Sequence, residues 1–287
     1  MIKRIPSFLI SLSLLFLMLY KITNASDLNN ASDLIFSVMG DVPRSASEDT
    51  LLQKQISAHN KYSKSEFMVH VGDIKSGGMS CDENVYIKVS GYLKKLQVPT
   101  FIVPGDNEWN DCDDPVQAWS FWEKYFLRFE KNWKPSFTVE HQSERPENFS
   151  FVKKSVLIVG INLVGGRVFD EKVWNMVLQA DADWVKNRFQ KSAGNVYAAV
   201  ICAQANPNSK HDLFMTQFRN AAKSFAKPVL FIHGDGHKWI YTNPWLESNI
   251  VRVQVDRGGI APPVQVTVSP KERPVFKFER KPFPVND

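Results

Sequence analysis

Four Gly-Asp steps close four apolar runs of this 287-residue sequence: Gly40-Asp41 after LIFSVM, Gly72-Asp73 after FMVHV, Gly105-Asp106 after TFIVP, and Gly234-Asp235 after VLFIH. With only 14 glycines in the chain, composition does not account for four such steps at one structural position. Glycine at a strand end permits a sharp turn and close backbone approach. The carboxyl ends of strands in an open α/β sheet form the crevice where ligands bind. Four carboxylates converging there repel unless some are protonated or cations neutralise them. A single Asp in such a place reads as a helix cap; four in phase read as ligands of a divalent metal. His237 follows Asp235 by two residues in HGDGHKW, within reach of the same ion. Gln204 and Asn206 follow the run VYAAVICA, and Asn107 and Glu108 follow Asp106 in PGDNEW. His70 and His233 lie inside apolar runs and read as buried and hydrogen-bonded. His59 and His211 fall on helices and His141 in a polar loop, where a solvated surface is the simpler expectation.

These residues need a scaffold, and the hydrophobic pattern supplies one. Residues 34–40, 67–72 and 100–105 read as short buried strands bounded by turn residues. Helices are predicted over 47–62, 83–96 and from Pro115, a good first helical residue. Trp119, Trp122, Phe126 and Phe129 form a stripe at helical spacing, which points to core packing. The second half predicts a hairpin from NFSFVKK and SVLIVGINLV, a helix over about 170–191, and a strand over 196–204. A helix over about 209–225, a strand over 229–234 and late strands near 250–256, 263–268 and 275–279 follow. Alternating strands and helices with hairpins imply a layered α/β domain. No repeat or Gly/Ser linker divides residues 33–287, which read as one domain.

The amino terminus carries a different message. Lys3 and Arg4 precede the apolar run FLISLSLLFLMLY (8–20), and Lys21 and the small string ITNAS follow. Residues 1–25 read as a signal peptide cleaved after Ala25; an uncleaved anchor is the alternative, although a span normally needs about 20 apolar residues. The protein is therefore expected to be exported (secreted, periplasmic or otherwise extracytoplasmic), with membrane contact only through this segment if it stays attached. Loss of Lys3, Arg4 and Lys21 takes the net charge from +5 to +2. The basicity that could have suggested nucleic acid is thus largely targeting signal, and no nucleic-acid motif is present. Hydrophobic residues at 44% and charged residues at 23% exclude disordered and low-complexity classes. In an oxidising compartment Cys81 and Cys112, both in polar surroundings, could pair, leaving Cys202 as a buried thiol. Sequons occur at Asn24, Asn30 and Asn148.

The blocks GDVP (40–43), GDIK (72–75), GDNE (105–108), QANP (204–207) and GDGH (234–237) occur in the order of the calcineurin-like metallophosphoesterase superfamily. Over about residues 33–268 the chain resembles a divergent branch with GDNEW, QANP and HGDxH blocks. The resemblance implies a layered α/β/β/α sandwich with mixed sheets and hydrolysis of a phosphoester by a metal-bound hydroxide. It implies one or two divalent ions and, as substrate, a phosphorylated small molecule or a phosphodiester. It places Asp73 as the bridging carboxylate, Asp41 and His237 on the first ion, and Asp106, Gln204 and Asp235 on the second. Asn107 takes the place of the catalytic histidine, and His237 is the other candidate proton donor if it is not a ligand.

The departures from that pattern matter. Pro43 stands where a histidine ligand is usual, and Asp106, Gln204 and Asp235 replace Asn, His and His. A one-residue shift would make Asn107 the ligand in place of Asp106, and the sequence leaves both open. An oxygen-rich site favours Mn, Mg or Ca over Zn, with Fe possible. Four aspartates neutralise two divalent ions and leave no positive charge for a phosphate. Arg44 and Lys75 could restore it, although a surface position is the simpler expectation for both. Trp109 and Trp239 flank two of the blocks and are expected to pack beside the site. The alternative function is a non-catalytic binding or surface module on the same fold with a degenerate metal site.

Overall fold

The computed structural model describes residues 31–284; the segment 1–25, Asn24 and Asn30 lie outside the described residues. The apolar runs pair into two mixed sheets. In the first, β1 (Leu34–Met39), β2 (Met68–His70) and β3 (Thr100–Ile102) run parallel. β11 (Val264–Val268) and β12 (Phe276–Glu279) extend it antiparallel, in the order β12-β11-β1-β2-β3. The second sheet is built on four parallel strands, β6 (Val156–Gly160), β7 (Ala198–Ala203), β8 (Val229–His233) and β10 (Ile250–Gln254). β4 (Glu140–His141), β5 (Phe149–Lys153) and β9 (Ile240–Thr242) complete it antiparallel, in the order β4-β5-β6-β7-β8-β10-β9. The two edge strands β4 and β9 escaped the sequence reading because two or three residues carry no periodicity.

Helices α1 (Ala46–Tyr62), α2 (Glu83–Leu93) and α3 (Pro115–Phe126) cover the outer face of the first sheet. Leu52, Ile56, Tyr86, Val89, Leu93, Trp122 and Phe126 pack there on Met39, Met68 and Ile102. α4 (Glu171–Ser192) and α5 (Asp212–Phe225) cover the second sheet, with Trp174, Val185, Phe214 and Phe218 against Val159 and Ile201. Three of these helices start on a side chain that meets an orphan N–H: Ser45 accepts from Glu48 N, Asp114 from Gln117 N, and Asp170 from Val173 N. Between the sheets lie Phe36, Val38, Phe67, Val69 and Phe101 from one and Phe151, Ile158, Val200 and Ile232 from the other. Phe67 crosses this layer edge-on to Phe151 with ring centroids 5.1 Å apart. The result is the α/β/β/α sandwich the motifs implied. Burying each large apolar side chain contributes about 1.5–3 kcal/mol, and these strands are apolar on both faces because both faces are covered.

Register brings the functional blocks level. Met39 pairs with His70 and His70 with Ile102, so Gly40-Asp41, Gly72-Asp73 and Gly105-Asp106 leave the first sheet at one rim. Ala203 pairs with His233, so Gln204 and Gly234-Asp235 leave the second sheet together.

Three histidines expected on the surface turn inward. His59 is 2% exposed, with Nε2 3.2 Å from Ser37 Oγ, and burial lowers its pKa to about 4. His211 is fully buried: Nε2 donates to Val164 O, and Nδ1 accepts from Asn208 N. His141 reaches Pro146 O and Glu130 from β4. The sequon residue Asn148 is also fully buried, with its amide nitrogen donating to Gln142 and Asp181. Among the described residues no helix is long and apolar enough to cross a membrane.

Candidate functional site

The strand-end blocks converge where the two sheets meet. Asp41, Asp73 and Asp235 adopt left-handed backbone conformations, with φ of 56°, 61° and 67°, and His237 follows at 63°. Such a conformation costs a non-glycine residue about 1–2 kcal/mol, and Asp tolerates it better than most. Four instances in one crevice aim side chains at a common space and mark a functional constraint. Gly105 makes the convergence sterically possible, because a Cβ there would lie 2.2 Å from Asp73 N.

One oxygen each of Asp41 and Asp73 and a ring nitrogen of His237 lie within 4.8 Å of one another. His237 Nε2 comes to 3.2 Å from Asp41 Oδ1, yet that oxygen is buried and has no hydrogen-bond partner. The two groups make a close charge contact without a hydrogen bond, with Asp73 beside them. Asp41 Oδ2 accepts from Asp235 N at 3.2 Å, which ties the first block to the last.

Asp106, Gln204 and Asp235 occupy the adjoining half of the crevice. Gly165 N donates to Gln204 Oε1 at 2.7 Å, which fixes the amide orientation and leaves Nε2 to donate to Asp106 Oδ1 at 2.7 Å. Gln204 therefore holds Asp106, and its oxygen serves the backbone in this arrangement. Asp235 Oδ2 accepts from Asn206 N. A loop from β6 lies directly over both carboxylates. A Cβ on Gly165 would sit 3.0 Å from Asp235 Oδ2, and one on Gly166 (φ +70°) would sit 2.6 Å from Asp106 Oδ2. Arg167 donates to Asn110 O and Cys112 O, and Lys210 to Gly166 O, which secures that loop.

Asn107 is a support for Asp73: its Nδ2 donates to Asp73 Oδ2 at 2.6 Å. The carboxylates of Asp106 and Asp235 both lie beside Gly165, within 3.5 Å of where its Cβ would be. The role of Glu108 was not legible in the sequence. Fully buried, it accepts from Gly105 N and Asp73 N on Oε1 and from Ile74 N on Oε2, stapling two Gly-Asp turns together. Its place in GDNE was the available signal, but only the meeting of the two turns shows what it holds. Arg44 and Lys75 both depart from the surface expectation. Lys75 is buried, its ammonium on Ser76 O and Met79 O. The Arg44 side chain is 16% exposed, with Nη1 3.6 Å from Asp73 Oδ2.

Cys81 and Cys112 form a disulfide, and Cys202 is a buried free thiol. The sulfurs lie 3.7 and 3.5 Å from Asn107 O, so the bridge brackets the turn that carries Asp106 and Asn107. Trp109 is buried against Trp119 and Phe169, and Trp239 packs on Phe278; both are packing residues.

The electrostatics agree with a cation site. Burial raises Asp73 well above the ordinary carboxylate range, and the charges of Asp106, Glu108 and Asp41 push it further. Burial lifts Asp106 to about 6, with Asp235 and Asp111 adding to the rise. The charges of Asp73 and Asp106 act on each other. Either a proton sits between two such carboxylates or a cation does. Asp235 is raised by burial and by Asp41. The oxygen-rich donor set, the orphaned Asp41 Oδ1 and the facing carboxylates fit one or two hard divalent cations. Asp41, Asp73 and His237 would hold one, and Asp106 and Asp235 would complete the other beside Asp73.

No protein-family model matches the sequence, and no curated relative does. Solved structures share the fold. GAP50, the anchor in the inner membrane complex of Plasmodium, superposes with a TM-score of 0.51 at 12% identity over 86% of this chain and 88% of its own. TT1561 of Thermus thermophilus gives 0.50 at 11% identity over 87% of this chain and 99% of its own. Purple acid phosphatase PPD1 from yellow lupin (Lupinus luteus) seeds gives 0.51 at 10% identity over 83% of this chain and 50% of its own. The chain has the fold of the calcineurin-like metallophosphoesterases.

Proposed function

We propose that this protein is an exported, metal-dependent hydrolase of phosphoester bonds. The observation that carries the reading is the convergence of Asp41, Asp73 and His237 within 4.8 Å at the strand ends of this fold. Asp41, Asp73 and His237 would hold a divalent cation there, which would supply Lewis acidity to a phosphoryl oxygen and to water. The chain's own residues do the rest. Asp73, held by Asn107, stands between the two halves of the crevice. Gln204 orients Asp106, Asn206 N orients Asp235, and Glu108 keeps the second and third turns in register. His237, about two-fifths exposed, is the imidazole of the first half and faces solvent, where a leaving group would depart. Manganese, magnesium or calcium suits these donors better than zinc. The Cys81–Cys112 bridge supports passage through an oxidising compartment, as does the segment 1–25.

The test is metal analysis of protein purified without chelators, together with a panel of aryl phosphates and phosphodiesters. Stoichiometric metal whose removal abolishes turnover supports the enzyme. A second reading, a binding module on the same fold, draws on the missing histidine at Pro43 and on GAP50, whose description is that of an anchor. Bound metal with no turnover on any ester decides for that reading.

A further inference from the structure

Arg44 turns into the crevice beside Asp73, close enough for an ion pair but without a hydrogen bond. The block that begins at Asp41 puts a proline at 43 and carries the chain directly to Arg44. Glu48 takes the Arg44 backbone, with Oε2 accepting Arg44 N at 2.8 Å, while Oε1 pairs with Arg257 at 3.3 Å. The guanidinium is left to turn inward. Its Nη1 is buried, has no hydrogen-bond partner, and stops 3.6 Å from Asp73 Oδ2, beyond hydrogen-bonding distance. A guanidinium keeps its charge and donates in a fixed fork, and it cannot ligate a metal. It therefore pairs with Asp73 by charge alone, and a cation that takes Asp73 would leave Nη1 free to donate to another acceptor in the crevice. The charge balance states which acceptor. If two divalent ions bind, Asp41, Asp73, Asp106 and Asp235 would cancel their charge, and Arg44 would supply the positive charge for an anion.

We propose that Arg44 is the anion-binding residue of this site, donating to a non-bridging oxygen of a dianionic terminal phosphate group. The assignment rests on the metal-site reading above and extends it from phosphoesters in general to phosphomonoesters. A terminal phosphate offers three non-ester oxygens and two negative charges. A phosphodiester offers two oxygens and one charge, so the guanidinium's charge favours the former.

The experiment is calorimetric titration of manganese-loaded protein with inorganic phosphate and, separately, with dimethyl phosphate. Phosphate is expected to bind at least about tenfold more tightly than dimethyl phosphate. In Arg44→Ala the phosphate affinity should fall at least about tenfold, to the level of dimethyl phosphate, with manganese stoichiometry unchanged. Arg44→Lys should keep the charge, lose the fork and fall in between, and it serves as the reporter if the alanine variant does not fold. Phosphate affinity within twofold of wild type in both variants overturns the assignment. So does a rise in bound manganese in Arg44→Ala, which would mean the guanidinium stands in a cation's place. A wild-type protein that holds manganese but no phosphate overturns it as well. Arg44-dependent phosphate binding without turnover of any ester upholds Arg44 and removes the hydrolase reading; a protein that binds no manganese removes both.

Discussion

Among the described residues two buried acidic clusters look alike until their neighbours are compared. At the crevice, Asp41, Asp73, Asp106 and Asp235 meet; behind β5 and β6, Asp181 of α4 meets Glu147, Asn148 and Asn162. Burial lifts a carboxyl toward neutrality in both, Asp106 to about 6 and Asp181 to about 7. The surroundings differ. Asn148 Nδ2 donates to Asp181 at 2.7 Å, Asn162 Nδ2 donates to Glu147 at 2.9 Å, and Arg145 pairs with Glu147 at 2.8 Å. Amides and a guanidinium separate those carboxylates. In the crevice carboxylate faces carboxylate on left-handed backbone, under a glycine loop that lies against Asp106 and Asp235. A raised pKa reports burial. Strained backbone and facing like charges report a binding site.

That contrast can be broken experimentally. Asp73→Asn should lower turnover of an aryl phosphate by about 10²–10³-fold or more and reduce bound metal. The metal-free protein should melt no lower than wild type, because a repelling charge is removed and Asn tolerates the left-handed backbone. Unchanged turnover would erase the distinction between the clusters.

Asp181→Asn should do the reverse, with turnover within twofold and a changed pH dependence of stability. The folded-state pKa of Asp181 is raised from 3.8 to about 7, so the native state holds a proton that the unfolded chain releases. That stabilisation is complete below about pH 4 and is lost as pH rises through 7, on the order of 4 kcal/mol in all. Urea unfolding at several pH values should therefore show wild type losing stability relative to the variant between pH 4 and 7. Parallel curves would show that Asp181 stays charged in the fold.

Replacing Cys81 and Cys112 by serine opens a bridge between positions 31 residues apart, which should cost about 3–4 kcal/mol. Because the bridge brackets Asn107, metal affinity should fall as well, while the pH dependence due to Asp181 should persist. Equal damage to both would mean the disulfide serves the fold in general.

The smallest expected effect is at the loop over Asp106. Gly166→Ala should cost about 1–2 kcal/mol from its left-handed φ, plus lost turnover, since its Cβ would meet Asp111 and Asp106. Gly194→Ala, where a Cβ meets nothing within 4 Å, is the control and should be near neutral.

The strands were legible because their signal is local. LIFSVM, VYAAVICA and VLFIH are apolar on both faces, and each ends in a residue type that breaks a strand or begins a site. The Gly-Asp steps shared one position in the pattern before any pairing was known. His59 and His211 were misjudged because the surroundings of a helical face depend on what packs against it. Ser37 lies 22 residues from His59, and Val164 lies 47 residues from His211. Asn148 fits a sequon, yet its burial comes from Asp181, 33 residues onward.

By itself the sequence determined the order of elements, the layered fold class, and the four strand-end aspartates with His237. Those follow from short-range patterning and from residues that allow a sharp turn. Only the tertiary structure decided that Asn107 and Gln204 hold Asp73 and Asp106 by their amides, that Glu108 staples two turns, and that Arg44 points inward. Each depends on contacts between blocks far apart in the chain, up to the 194 residues that separate Asp41 from Asp235. Local sequence carries no record of which buried oxygen will find a partner there and which will be left to bind something else.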